Sequence, residues 1–176
     1  MRTSVFIATS LDGFIARRDG SIDWVVKFEN TEVNLAYTEF MGKIDAVVIG
    51  RGTFETVLAF PSWPYERKVF VLSTTIHHAP GNLRDKVAIV AMKPRELLAF
   101  LAGEGYSNPY IDGGRVIQSF LREDLVDEMT VTVAPVIIGS GIPLFNNLDA
   151  ELQFNHMETR VYPNGLVRSR YERMRR

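Results

Sequence analysis

Short apolar runs recur along the first two thirds of the chain, each passing through small or polar residues into a helical pattern. Val5-Phe6-Ile7-Ala8 reads as a buried strand that leaves through the turn Ser10-Leu11-Asp12-Gly13, and Phe14-Ile15-Ala16 follows briefly. Residues 17–21 are polar loop, closed by Asp23-Trp24. From Val33, the spacing of Ala36, Tyr37, Phe40, Met41 and Ile44 predicts an amphipathic helix. Residues 45–49 form a second strand, whose turn Gly50-Arg51-Gly52-Thr53 opens a short helix through Phe54, Val57 and Leu58; Pro61 and Pro64 end it. A third strand, 69–72, runs into Ser73-Thr74-Thr75, and 87–91 is a fourth. Pro94 suits the first position of a helix carrying Leu97, Leu98 and Leu101, which Gly103 and Gly105 stop. The next strand, at Tyr110-Ile111, ends in Asp112-Gly113-Gly114, and a helix opens at once with Val116, Ile117, Phe120 and Leu121 on one face.

Beyond residue 127 the period changes. Met129, Val131 and Val133 alternate with Glu128, Thr130 and Thr132, the mark of a half-buried strand, and 134–138 extend it into the loop Gly139-Ser140-Gly141. Leu152-Gln153-Phe154 begins another strand, and Asn164-Gly165 is a hairpin turn between 160–162 and 167–171. Strands alternating with helices, then a strand-only tail, predict one α/β domain over 1–176 with a mostly parallel sheet and antiparallel edge strands. The apolar surface of the Met129–Val133 strand and its extension predicts a homodimer.

Composition narrows the classes. Apolar residues at 46% and charged residues at 23% describe a globular chain rather than a disordered one. The net charge of −1 argues against nucleic acid as a partner, and Arg173, Arg175 and Arg176 read as a solvated tail. Cysteine is absent, which excludes disulfides, a thiol nucleophile and thiolate-bound zinc, and fits a cytoplasmic protein. No apolar run approaches membrane-spanning length, and the N-terminus lacks the pattern of a signal peptide. His77-His78 would point to opposite faces of an extended segment, so no metal site is expected.

The chemistry lies in the turns. Ligands of such sheets bind outside the carboxyl ends of the parallel strands. Three of those ends carry small or polar residues: Gly50-Arg51-Gly52-Thr53, Ser73-Thr74-Thr75 and Gly113-Gly114-Arg115. Glycines at a strand-to-helix turn let a ligand approach the backbone, and a helix start offers unpaired N–H groups to a phosphate. Arg51 could clamp a phosphate with its planar fork, and Thr53 could cap its helix while donating a hydroxyl bond. Three such turns on one edge suggest a ligand with several phosphates, a dinucleotide.

Residues 45–55, with their Gly50-Arg51-Gly52-Thr53-Phe54-Glu55 turn, resemble the corresponding strand and turn of dihydrofolate reductases, as do 68–73 and Gly113-Gly114-Arg115-Val116. Ser10-Leu11-Asp12-Gly13-Phe14-Ile15-Ala16 and the stretch 134–145 resemble the riboflavin-biosynthesis branch of that superfamily, the reductase domain of the bacterial bifunctional deaminase-reductase and its stand-alone relatives. The resemblance implies a dihydrofolate-reductase-like three-layer fold, helices on both faces of the sheet, and a commonly dimeric enzyme. It implies NADPH as cofactor: Arg51 with Ser73 or Thr74 at the adenosine 2′-phosphate, Thr53, Gly113, Gly114 and Arg115 at the pyrophosphate, Ala8 and Ile15 beside the nicotinamide, with Gly50 also among the cofactor-binding residues. The reaction implied is hydride transfer to a C=N or C=O carbon of a small pyrimidine- or pteridine-like heterocycle in the riboflavin pathway. Dihydrofolate reduction and a non-catalytic nucleotide-binding dimer are the alternatives. Glu29, counted from Trp24, and Asp23 are the candidate acids; Asp12, Trp24 and Phe145 are candidate substrate contacts. Asp112 stands where folate reductases commonly have glycine, and is expected to turn away from a pyrophosphate or to bond turn N–H groups. Deamination is excluded, because its zinc site needs cysteines.

Overall fold

The computed structural model describes residues 1–28 and 31–175. Eight strands form one sheet: β1 (Ser4–Thr9), β3 (Ala46–Gly50), β4 (Lys68–Leu72), β5 (Val87–Val90), β6 (Pro109–Ile111), β7 (Glu128–Val133), β9 (Phe154–Val161) and β10 (Val167–Arg173). A two-stranded ribbon pairs β2 (Phe14–Ala16) with β8 (Ile142–Pro143). Five α-helices and one 3-10 turn at Gly81–Leu83 complete the described elements: α1 (Asp23–Val26), α2 (Thr31–Met41), α3 (Arg51–Leu58), α4 (Pro94–Gly103) and α5 (Gly114–Arg122).

The strand order is β5-β4-β3-β6-β1-β7-β10-β9. From β5 to β7 every pairing is parallel, and β10 and β9 add antiparallel strands at one side. This is the mixed, mostly parallel α/β sheet that the alternating pattern predicted. Alternation along β3 explains the layers. Ala46 and Val48 face a core with α4 and α5, through Leu97, Leu101, Val116, Ile117, Phe120 and Leu121. Val47 and Ile49 face the opposite core, with Tyr37, Phe40 and Met41 of α2 and Phe54 and Val57 of α3. A strand covered on both faces must be apolar at every position, which is why β3 reads as an unbroken run.

Three expectations fail. The strand predicted to continue through 134–138 stops at Val133, where Ala134 turns inward against Trp24, Tyr162 and Leu166. The surface expected to pair two copies is not an edge: β7 lies between β1 and β10, and Met129, Thr130 and Thr132 are buried. Its alternation reflects one apolar face and one polar face inside the sheet, so the homodimer loses that argument. Third, the arginine tail is not freely solvated among the described residues. Arg173 ends β10 in an ion pair with Asp124 at 2.6 Å, and Arg175 pairs with Asp127. No helix among the described residues is long and apolar enough to cross a membrane.

Candidate active site

Because β4, β3, β6 and β1 run parallel, their carboxyl ends meet at one edge. The three phosphate-suited turns lie on neighbouring strands of that edge, β4, β3 and β6. Two of them open helices. Gly50 caps α3 and Gly113 caps α5, and neither supplies a side-chain hydrogen bond to its helix. The first-turn N–H groups of both helices are therefore left to an external acceptor. Thr53 does not act as the cap expected of it, since it lies inside the first turn of α3 with Gly50 at the cap position.

The turns touch one another. A Cβ on Gly113 would collide with the Thr53 hydroxyl oxygen, and one on Gly50 would stand 3.0 Å from Val116 Cγ2 of α5. Gly113 has φ 89° and ψ 135°, a conformation closed to side-chain-bearing residues in practice. At the far end of the row, Arg51 Nη1 donates to Thr75 Oγ1 at 3.4 Å, and Arg51 also lies 3.8 Å from Glu55. Ser73 is buried and accepts the N–H groups of Thr75 (3.2 Å) and Ile76 (2.9 Å), so its oxygen shapes the turn. Thr74 and Arg115 are exposed. Thr75 is thus the side chain that Arg51 meets, a residue the sequence placed in the turn without singling it out.

On the other side of α5, Gly114 abuts the β2–β8 ribbon. A Cβ there would lie 3.0 Å from Ile15 Cδ1 and 3.1 Å from Ile142 Cγ2. Ile15 and the start of α5 are therefore neighbours. Ala8, one residue from the end of β1, is half-buried beside the cluster of Trp24 and Ala134.

The remaining candidates divide. Asp12 accepts the N–H groups of Ile138 (3.2 Å) and Gly139 (2.8 Å) and the Ser10 hydroxyl (2.6 Å), which hold its carboxyl below the usual range, the Ser10 bond foremost. It ties the β1–β2 turn to the 134–141 loop. Trp24 is 1% exposed, so it is core and cannot line a substrate pocket; its amphipathic ring is buried with Tyr162 and Leu166. Phe145 is 54% exposed beyond β8. Asp23 is clasped by Arg17 Nε and Nη2 at 2.5 and 2.9 Å, and that contact brings its carboxyl down to about 2. Such a group is ionised near neutrality and has no proton to give. Glu29 lies outside the described residues.

Asp112 behaves as expected, and adds something. Its Oδ1 accepts the Gly113 N–H at 2.8 Å and its Oδ2 the Tyr65 hydroxyl at 3.3 Å. Burial pushes its carboxyl up, against the opposing bonds from Gly113, Tyr65 and Tyr110. Burial and then the Asp112 charge push the Tyr65 phenol up as well, so that hydroxyl stays protonated. Nothing in the sequence near Pro64 signals this contact, because it joins residues 47 apart.

A raised folded value means the folded state holds the Asp112 proton more tightly than the unfolded chain. That favourable contribution is complete below the ordinary value of 3.8 and is lost as pH rises through the raised one. Asp112→Asn keeps an acceptor for Gly113 and removes the charge. Thermal melts should therefore show the variant more stable than the parent at pH 7, with the gap closing as pH falls below 3.8. A gap of the same size at acid pH would refute the burial argument.

Comparison with known proteins gives the geometry a context. Residues 3–168 match the family described as the RibD C-terminal domain. The chain is 38% identical over 164 residues to the uncharacterized protein YwjB of Bacillus subtilis (strain 168), covering 92% of each chain. A crystal structure from Shewanella sp. PV-4, provisionally named as a riboflavin biosynthesis protein, is 42% identical with a TM-score of 0.94, over 99% of this chain and 100% of that one. The dihydrofolate reductase of Enterococcus faecalis, solved with NADP(H), shares the fold at a TM-score of 0.67 and 18% identity, over 98% and 96% of the two chains.

Proposed function

The chain belongs to the RibD C-terminal domain family, and on that premise we propose that it is an NADPH-dependent reductase acting on a pyrimidine- or pteridine-like heterocycle. One observation carries the reading: two uncapped helix starts and an arginine–threonine pair converge on neighbouring turns of one sheet edge. That donor set fits a ligand with phosphates at two separated points. At Gly113 and Gly114 an added Cβ would meet Thr53, Ile15, Ile142 and Pro143, so these glycines let the start of α5 pack closely against α3 and the β2–β8 ribbon.

In this reading Arg51 and Thr75, with Thr74 nearby, receive the 2′-phosphate that distinguishes NADPH from NADH. The first-turn N–H groups of α3 and α5 hold the pyrophosphate, helped by Thr53 and the exposed Arg115. Ile15 covers the nicotinamide end and keeps water away, with Ala8 on the strand beside it. The bound cofactor supplies the hydride to a C=N or C=O carbon, and the neighbouring heteroatom takes a proton. Asp23 is ionised and cannot give that proton. In this reading that proton comes from solvent.

The test is nicotinamide absorbance during incubation of the purified chain with NADPH and 5-amino-6-(5-phosphoribosylamino)uracil. Substrate-dependent oxidation is expected, and none with dihydrofolate. Tight NADPH binding without NADPH oxidation in the presence of either compound would sink the reductase reading and leave a non-catalytic nucleotide-binding module.

A further inference from the structure

Gln118 is an amide in the middle of an apolar helix face. It lies among Val116, Ile117, Phe120 and Leu121, and is itself 7% exposed. A buried amide persists where it finds partners. Its Nε2 donates to the backbone oxygens of Pro143 at 2.8 Å and Leu144 at 3.4 Å. Pro143 belongs to β8 and pairs with Phe14 of β2, and the Leu144 N–H donates to Gly13 O at 3.0 Å. One helical turn earlier, on the same side of α5, Gly114 packs against the same ribbon: its Cβ position lies 3.0 Å from Ile15 Cδ1 and 3.3 Å from Pro143 O. The helix thus grips the ribbon twice, by close backbone packing at Gly114 and by hydrogen bonds at Gln118.

We propose that Gln118 is a positioning residue that fixes the β2–β8 ribbon, and Ile15 with it, at a set distance from the first turn of α5. It thereby keeps the nicotinamide and pyrophosphate ends of the cofactor site in register. The inference rests on the cofactor reading above. Its physical basis is the weakness of the ribbon alone. A strand of three residues paired with one of two, with a register shift between Phe14 and Ala16, has too few ladder bonds to hold its own geometry. Removing the amide leaves the part-buried Pro143 and buried Leu144 carbonyl oxygens without that donor and frees the ribbon to shift. The adenosine end, built on α3 and the turn after β4, does not share these contacts.

Two probes separate the ends: NADPH, and adenosine 2′,5′-bisphosphate, which carries the 2′-phosphate but no nicotinamide. In Gln118→Met, a substitution of similar length without the donor, NADPH should bind about tenfold more weakly, because binding must then order a ribbon that the parent chain already holds in place, a cost of roughly 1.4 kcal/mol. Emission of the bound nicotinamide should move toward that of free cofactor, while the bisphosphate binds within about twofold of the parent value. Unchanged NADPH binding, or equal loss of both probes, would overturn the proposal. A measurement on the parent chain covers a variant that fails to fold. Hydrogen exchange should slow at residues 13–16, Ile142 and Leu144 with NADPH and not with the bisphosphate; a ribbon indifferent to NADPH would also overturn it. A parent chain that binds neither probe would instead remove the cofactor reading, and this inference with it.

Discussion

Arg51→Ala is expected to weaken NADPH binding about ten- to a hundredfold while changing NADH affinity by no more than about threefold, as read by titration of each cofactor. The range follows from the loss of a charge-assisted hydrogen bond to phosphate, roughly 1.5–3 kcal/mol. Arg51 is the first residue of α3, where it meets Thr75 Oγ1 at 3.4 Å and Glu55 at 3.8 Å. Both members of the Glu55 pair are more than half exposed, so that contact holds the guanidinium only loosely and a phosphate can displace it. Arg51→Lys should fall between parent and alanine variant, because it keeps the charge and loses the planar fork. Thr75→Val should cost less, since it removes a neutral donor. Equal losses for NADPH and NADH in Arg51→Ala would cancel the assignment of this turn to the 2′-phosphate.

Gly113→Ala is expected to be the most damaging single substitution at the site. Two penalties add. A side chain at φ 89°, ψ 135° is strained by about 1–3 kcal/mol. The new methyl would also drive into the Thr53 hydroxyl, an overpacking cost of about 1–3 kcal/mol. For a chain of 176 residues each kcal/mol moves the midpoint by roughly 2–4 °C, so thermal melts should show a drop on the order of 5–20 °C. NADPH affinity should fall with it, because the N–H groups of α5 would be displaced. The double variant Gly113→Ala with Thr53→Ala separates the two causes: it should recover the clash and keep the strain, regaining about half the loss. A single variant that melts like the parent would mean that the turn does not hold its left-handed glycine.

The candidate site was partly legible in the chain itself. Gly50-Arg51-Gly52-Thr53, Ser73-Thr74-Thr75 and Gly113-Gly114-Arg115 each follow an apolar run, and a parallel sheet must bring the ends of such runs to one edge. Their contact could be anticipated because it follows from topology. Side-chain partners could not. Thr75 rather than Ser73 meets Arg51, because the Ser73 hydroxyl is turned back onto its own loop. Trp24 looked like a pocket wall, and proved to be core. Aromatic residues near strand ends read alike in sequence whether the next element covers them or not. Asp23 sits beside an arginine that a one-dimensional reading places in open loop, and the ion pair removes it as an acid.

Local pattern determined what depends on neighbours in the chain. It gave most of the strands and helices to within a few residues, the antiparallel strands at the C-terminal end, and the glycine turns. These follow from steric and periodic rules that act over a few residues. Tertiary structure alone decided which groups are buried and what they touch: the Asp112–Tyr65 contact, the Gln118 grip on the ribbon, and the placing of β7 inside the sheet rather than at its rim. Each of these sets the energy of a polar group or a free edge by the residues around it, and those residues come from distant parts of the chain.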